Sequence, residues 1–266
     1  MGRQYTREEF AAKLGAAEQG DPKLNAAADF AARLLSSPVG DSVARIVLFG
    51  SVARGEARPD SDIDLLVFGS GPHERLSWAV AEAASETIVE YGESVVPLAY
   101  ETGRLWWPLS YLVYDSLRRG KEIYRMDDAV VRLSEARKLA RKAEKILDQA
   151  YDICEQGGYE TAIGAAYQAA ELAVKALLVL KPGVQMPGSH GGVSQVFARE
   201  YVRTGEAPRD WSVRLSQELQ LRHKAWYDVE ADPLDSEARA AIEFAHEVLK
   251  FLRERIEHTQ PPQIGD

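Results

Sequence analysis

Cysteine is nearly absent from this chain: Cys154 is the only one in 266 residues. That excludes an internal disulfide framework and predicts a reducing, cytoplasmic setting. Long apolar runs are lacking too, since stretches such as 46–49 and 63–68 fall far short of a bilayer span, so no membrane-embedded segment is expected. The charge balance has no basic excess. A net charge of −9 argues against a surface that binds nucleic acid by charge alone. Histidine is scarce, and His73, His246 and His258 show no metal-ligand spacing among themselves. The opening residues read as a polar helix, with Thr6-x-x-Glu9 as a capping box, and contain no apolar secretory core.

An apolar content of 45% and a charged content of 27% are those of a globular protein long enough for two domains. The predicted class is α+β. Residues 1–125 read as a mixed sheet with helices, preceded by two N-terminal helices within residues 6–37, the second opened by Asp21-Pro22. Strands are expected at 43–49, 63–68, 95–100 and 121–124, the third at an edge or bulge because Pro97 lies inside it. Helices are expected at about 72–90 and 106–117. From 126 to 258 the pattern is helical throughout, and 259–266 read as a disordered tail. Cys154 falls on the apolar face of the first long helix and reads as core. Arg132, Arg137, Lys138, Arg141, Lys142 and Lys145 crowd that helix, which reads as a solvated face or, alternatively, an RNA track.

The chemistry concentrates in Val47-Leu-Phe-Gly-Ser-Val-Ala-Arg-Gly-Glu-Ala-Arg-Pro-Asp-Ser-Asp-Ile-Asp64. Asp62 and Asp64, two apart on a strand, share one face. Two carboxylates at that spacing suit Mg²⁺, which takes one or two carboxylates plus substrate phosphates. Gly50 lets the backbone approach a phosphate closely, Ser51 can bind its oxygens, and Arg54 or Arg58 can add charge-assisted contacts. Ser61 and Asp60 read as turn-formers. Acids interleaved with Ile63, Leu65 and Leu66 would be costly without a partner, which favours the functional reading.

Gly50-Ser51, Arg54-Gly55 and Ser61-Asp62-Ile63-Asp64-Leu65 together resemble the signature of the DNA polymerase β-like nucleotidyltransferases, in particular their minimal branch. The resemblance implies transfer of a nucleoside monophosphate, AMP above all, from ATP or another NTP to a hydroxyl on a protein or small molecule. It assigns two Mg²⁺ ions to Asp62 and Asp64, and the triphosphate to Gly50 and Ser51, with Arg54 and Ser61 beside them. A third carboxylate is implied on a later strand. Strand 95–100 has no acid in its middle, and Glu93 at its start is preferred over Glu101 past its end. An active transferase and a nucleotide-binding relic both fit that departure.

The helical half resembles the HEPN family, on His190-Gly-Gly-Val and on Arg222-His223-Lys-Ala-Trp226-Tyr227-Asp. Ribonucleases of that family place a histidine a short gap after the arginine. Tyr227 takes that place here, and RNA cleavage by a 2′-hydroxyl wants a group of the histidine kind, which a phenol is not; this argues against RNA cleavage. The plain alternative has Arg222 and His223 solvated and Trp226 and Tyr227 in the core, with His190 capping a helix. The resemblance also implies a toxin–antitoxin-like fusion, with Tyr227 as an acceptor of the transferred nucleotide and pairing of bundles as a homodimer. Two other readings fit: an antibiotic nucleotidyltransferase of the aminoglycoside type, and a non-catalytic nucleotide-sensing module that binds RNA or protein.

Overall fold

The computed structural model describes residues 4–15, 20–108 and 110–259. Contacts divide the chain into two compact units, Met1–Val131 and Arg132–Asp266. The first is a four-stranded sheet in the order β3-β2-β1-β4, from β1 (Val43–Phe49), β2 (Ile63–Gly69), β3 (Val95–Glu101) and β4 (Lys121–Arg125). β1 runs antiparallel to both its neighbours, and β2 runs parallel to β3. Pro97 therefore stands on an edge strand, where its missing N–H interrupts no central ladder.

Alternation along the strands sorts the two faces. Ile46 and Leu48 of β1 and Ile63, Leu65 and Val67 of β2 join a core with Phe30 and Leu34 of α2 (Pro22–Ser36), Phe10 of α1 (Arg7–Leu14), and Leu76 and Val80 of the helix His73–Tyr91. A smaller core on the opposite face joins Val47, Leu66 and Phe68 to Val113 of the helix Tyr111–Arg119. Asp64 alternates with Ile63 and Leu65, so it belongs to this second face, at the end of the sheet where it is in register with Phe49.

Capping chemistry sets several boundaries. The Asp21 carboxylate accepts from the Lys23 and Leu24 N–H groups, and Pro22 occupies the first turn of α2. Thr6 stands at the N-cap of α1, but its hydroxyl makes no capping hydrogen bond, so the expected box is not formed there. The helix expected over 106–117 starts later. Thr102–Leu105 is a 3₁₀ turn, and Ser110 caps Tyr111–Arg119 by accepting from the Val113 N–H, beyond Pro108.

The second unit is all helical. With α3 (Gly50–Arg54), α4 (His73–Tyr91) and α5 (Tyr111–Arg119) in the first unit, its helices are α6 (Asp128–Glu155, entering from the boundary), α7 (Tyr159–Leu180), α8 (His190–Phe197), α9 (Trp211–Tyr227) and α10 (Asp235–His258). The alanine-rich face of α7 packs closely against α10, and Cys154 is buried with them. α7 is long and apolar enough to cross a membrane by composition, and 72% of its most apolar window is buried within the protein. Arg132 is not part of a basic track: it donates to the Val179 and Lys181 carbonyls at the end of α7, anchoring otherwise orphaned groups. Arg137, Arg141, Lys142 and Lys145 are solvent-facing to differing degrees along the same helix. Residues 260–266 of the expected tail lie outside the described residues.

Candidate functional site

β1 ends at Phe49, and the chain turns at once into the single short helix α3. Gly50 makes that turn with φ +73°, a left-handed conformation that side chains with a Cβ adopt at a cost. Space is an equal constraint. A Cβ at position 50 would come 2.1 Å from Oδ2 of Asp64, so the carboxylate lies directly over the glycine. Gly50→Ala is therefore expected to displace Asp64 and to destabilise the first unit by about 1–2 kcal/mol for the backbone strain alone. Thermal unfolding checks the stability and nucleotide transfer checks the displacement.

Asp62 immediately precedes β2 and is exposed, and Asp64 is half-buried one residue inside the strand. Burial raises the Asp64 carboxyl above its ordinary range, the charge of Asp62 raises it further, and Arg54 lowers it. The charge of Asp62 thus reaches the Asp64 carboxyl. Neither makes a hydrogen bond or ion pair among the described residues. A pair of like charges held close and left without protein donors favours a cation, and no cluster of three or more metal-ligating side chains occurs among the described residues.

Beside them, Ser51, Arg54, Glu56, Arg58, Asp60 and Ser61 line an open cleft of about 570 Å³. Four predicted residues, Ser51, Arg54, Arg58 and Ser61, are brought together in it. Arg54 is exposed and ion-pairs Glu56 at 2.7 Å. The Ser61 hydroxyl accepts from the Arg58 N–H at 2.9 Å and so closes the loop on itself, as expected of a turn-former. Another groove of about 570 Å³, between α4 and β3, is lined by Val80, Ile88, Pro97 and Leu98 among others and holds none of the predicted residues.

Glu93 is not brought to the acid pair. Its carboxylate accepts from the Nζ of Lys23 on α2, and Lys23 donates as well to the Ser61 carbonyl at 2.7 Å and to that of Pro59 at 3.2 Å. α2 covers the opposite face of the sheet from Asp64, so Glu93 belongs to a buried clasp that holds the loop from behind. On β3 the residue in register with Asp64 is Val96, which has no ligating atom. Sequence reading missed Lys23, whose only signal was a lysine in the first turn of α2, a helix that also carries Asp29 and Arg33.

In the helical unit the cap of α8 is Ser189, which accepts from the Gly192 N–H. His190 does not cap: its Nδ1 lies 2.7 Å from Oε1 of buried Glu171. Arg222 lies over the rings of Trp226 and Tyr167, at 4.7 and 5.8 Å. His223 and Tyr227 meet edge to face at 5.9 Å. Trp226 and Tyr227, at 49% and 71% exposure, are not core residues.

Comparison with known proteins now bears on both halves. A family described as nucleotidyltransferase domain matches residues 31–155, and one described as HEPN domain matches residues 136–255. A Methanocaldococcus jannaschii protein named "Putative toxin" is 30% identical over 112 residues, 42% of this chain and 75% of that protein. The chain belongs to the nucleotidyltransferase–HEPN family. Its nucleotidyltransferase domain carries the sheet and the acid pair, and its HEPN domain is the bundle. Where the two matches overlap, at 136–155, the residues lie in α6, within the second unit. The spectinomycin adenyltransferase of Enterococcus faecialis, solved with ATP and spectinomycin, aligns over 86% of this chain and 98% of its own at 13% identity. With a TM-score of 0.26, that alignment carries no argument.

Proposed function

We propose that the nucleotidyltransferase domain transfers AMP from ATP to a hydroxyl, and that the acceptor is Tyr227 of the HEPN domain, in the same chain or in a second copy. The observation that supports it is the unpartnered pair Asp62 and Asp64, of which Asp64 packs over Gly50, beside the cleft of Ser51, Arg54 and Arg58. Asp62 and Asp64 would hold Mg²⁺, which when bound neutralises charge on the triphosphate and its leaving group. The exposed arginines Arg54 and Arg58 draw the triphosphate into the cleft. Gly50 keeps the backbone low enough for a phosphate to approach, and Ser51 offers a hydroxyl to its oxygens. The Lys23–Glu93 clasp fixes the loop from behind and so fixes where Asp62 stands.

In the transfer, the acceptor oxygen bonds to the α-phosphorus, the bond between the α- and β-phosphates breaks, pyrophosphate leaves, and the hydroxyl proton passes to solvent. Tyr227 suits the acceptor role because it is 71% exposed at the end of α9. Modification of the HEPN half by the transferase half fits a toxin–antitoxin-like pair, and the relative named as a toxin agrees with that class. The two rival readings, an antibiotic acceptor and a non-catalytic RNA module, have no separate observation in their favour.

Peptide mass mapping after incubation with ATP and Mg²⁺ tests the reading. The expected result is one AMP on the peptide holding Tyr227, absent from Tyr227→Phe. Label that persists at full level in Tyr227→Phe would reject the acceptor, and no AMP on protein or on small hydroxyl compounds would reject the transfer.

A further inference from the structure

The groove between α4 and β3 holds none of the residues of the transfer reaction, and the surface around it is apolar. Trp78 and Val89 of α4 are 78% and 85% exposed, and Ile88 of α4 and Val96 and Leu98 of β3 are exposed beside them. Single exposed hydrophobic residues are ordinary. Five large ones on one helix and the strand it packs against form a patch, and patches of that kind mark interaction surfaces.

The helical period sorts α4 into two faces. Leu76, Val80, Ala83, Ala84 and Thr87 are buried against the sheet. Trp78, Ala81, Ser85 and Val89 follow one another at steps of three and four, so they share an outward stripe. Ala81 and Ser85 are small and line the groove of about 570 Å³, while Trp78 stands out from the same stripe one turn earlier. A large projecting ring and a hollow lined by small residues therefore lie side by side on one surface. An interface between two identical copies related by a twofold axis needs that combination, because the same patch must supply both knob and hole.

Addition of a partner strand to β3 is disfavoured. The Ser94 carbonyl accepts from the Ile63 N–H of β2, so by alternation the backbone groups of Val95, Pro97 and Ala99 are the ones turned to the open edge. Pro97 stands at the middle of that edge with no N–H to give, which interrupts any continuous ladder. The partner thus meets the helix and the groove beside it.

Charge selects which partner. The exposed charged residues of α4 are Glu74 and Arg75 in the first turn, then Glu82, Glu86 and Glu90 in the later turns. Arg75 makes no hydrogen bond through its side chain and no ion pair among the described residues. Glu82 and Glu86 follow it by seven and eleven residues, which puts all three on one flank of the helix. When two such helices pack antiparallel, like flanks face each other with their ends reversed. Arg75 of each copy then comes opposite the acids of the other, twice over. Glu86 can take part because it holds Arg33 through one oxygen at 3.0 Å and keeps the second.

We propose that α4 is a self-association surface: two copies pair antiparallel along it, the Trp78 indole of each entering the other's groove beside Ala81 and Ser85, and Arg75 of each meeting the partner's Glu86. This interface lies wholly on the nucleotidyltransferase domain and is independent of the transfer reaction.

The test follows the full chain by sedimentation equilibrium and by cross-linking. Wild type is expected to dimerise reversibly at submillimolar concentration. Trp78→Ala should weaken the dimer about tenfold or more, as loss of a central aromatic anchor does. Arg75→Glu should weaken it by a smaller factor, and adding Glu86→Arg to the same chain should restore most of that loss, which a folding defect would not do. Oxidation should join Ala81→Cys chains to each other, since position 81 lies near the proposed twofold axis and native Cys154 is buried. Arg203→Cys, an exposed position of the HEPN domain, should stay unlinked. A chain that remains monomeric would leave the groove to another occupant and overturn the proposal. A dimer as tight in Trp78→Ala as in wild type, or one that forms without linking Ala81→Cys, would place the contact on another face and overturn it as well.

Discussion

Asp64→Asn is expected to reduce AMP transfer by at least about 10²–10³-fold, measured as pyrophosphate released per protein, because it removes a charge aimed at the transferring group. The same change should make the metal-free protein more stable. The sign follows from the raised carboxyl. A group whose folded pKa lies above its unfolded value stabilises the fold below the unfolded value and loses that contribution as pH rises through the folded one. At neutral pH Asp64 is therefore ionised at a cost, set first by burial and then by Asp62. Asparagine keeps the shape and removes the charge, so the thermal midpoint in EDTA should rise above that of wild type at pH 7, and the gap should close as pH falls through the carboxylate range. Activity and stability moving in opposite directions is the mark of a site whose repulsion is kept for a ligand. An unchanged midpoint at both pH values would mean that the pair carries no such strain.

Lys23→Met should produce the largest loss of stability. Lys23 and Glu93 have side-chain exposures of 9% and 19%, and Lys23 also serves the carbonyls of Pro59 and Ser61. Methionine keeps the apolar stem and most of the volume but leaves a largely buried carboxylate and two carbonyls without their donor, which costs about 3–5 kcal/mol. Adding Glu93→Gln should recover part of that cost, because the uncompensated charge is gone, and a double-mutant cycle by chemical denaturation measures the recovery. Transfer should also fall, since the loop before Asp62 loses its rear support. A cost below about 1 kcal/mol would place Lys23 among ordinary surface charges.

The parts of this protein that local rules govern were legible in its sequence. β-branched runs marked β1 and β2, Pro97 marked an edge, and Asp21-Pro22 marked the start of α2. The loop from Gly50 to Asp64 was legible because its residues are neighbours in the chain, and the turn that Gly50 requires forces Asp64 close to it. What was hidden depends on partners far apart. Glu93 looked like a ligand until Lys23, 70 residues earlier, claimed it from the other face of the sheet. Arg132 looked like part of a basic stripe, yet it reaches carbonyls 47 and 49 residues later. His190 looked like a cap, yet Glu171 holds it from the preceding helix. The start of α5 was placed too early because the apolar residues around Trp106 fit a helical period, while Pro108 and the Ser110 cap decide against it.

The central claim, that Asp62 and Asp64 hold a divalent cation for transfer of a nucleoside monophosphate, is tested most directly by following two labels on ATP. Protein is incubated with ATP labelled on the α-phosphate or on the γ-phosphate, with and without Mg²⁺, in wild type, Asp62→Asn and Asp64→Asn. The account predicts covalent label from the α-phosphate only, only with Mg²⁺, and only in wild type. Label from the γ-phosphate, label that survives removal of the metal, or label in both asparagine variants equal to that in wild type would contradict it.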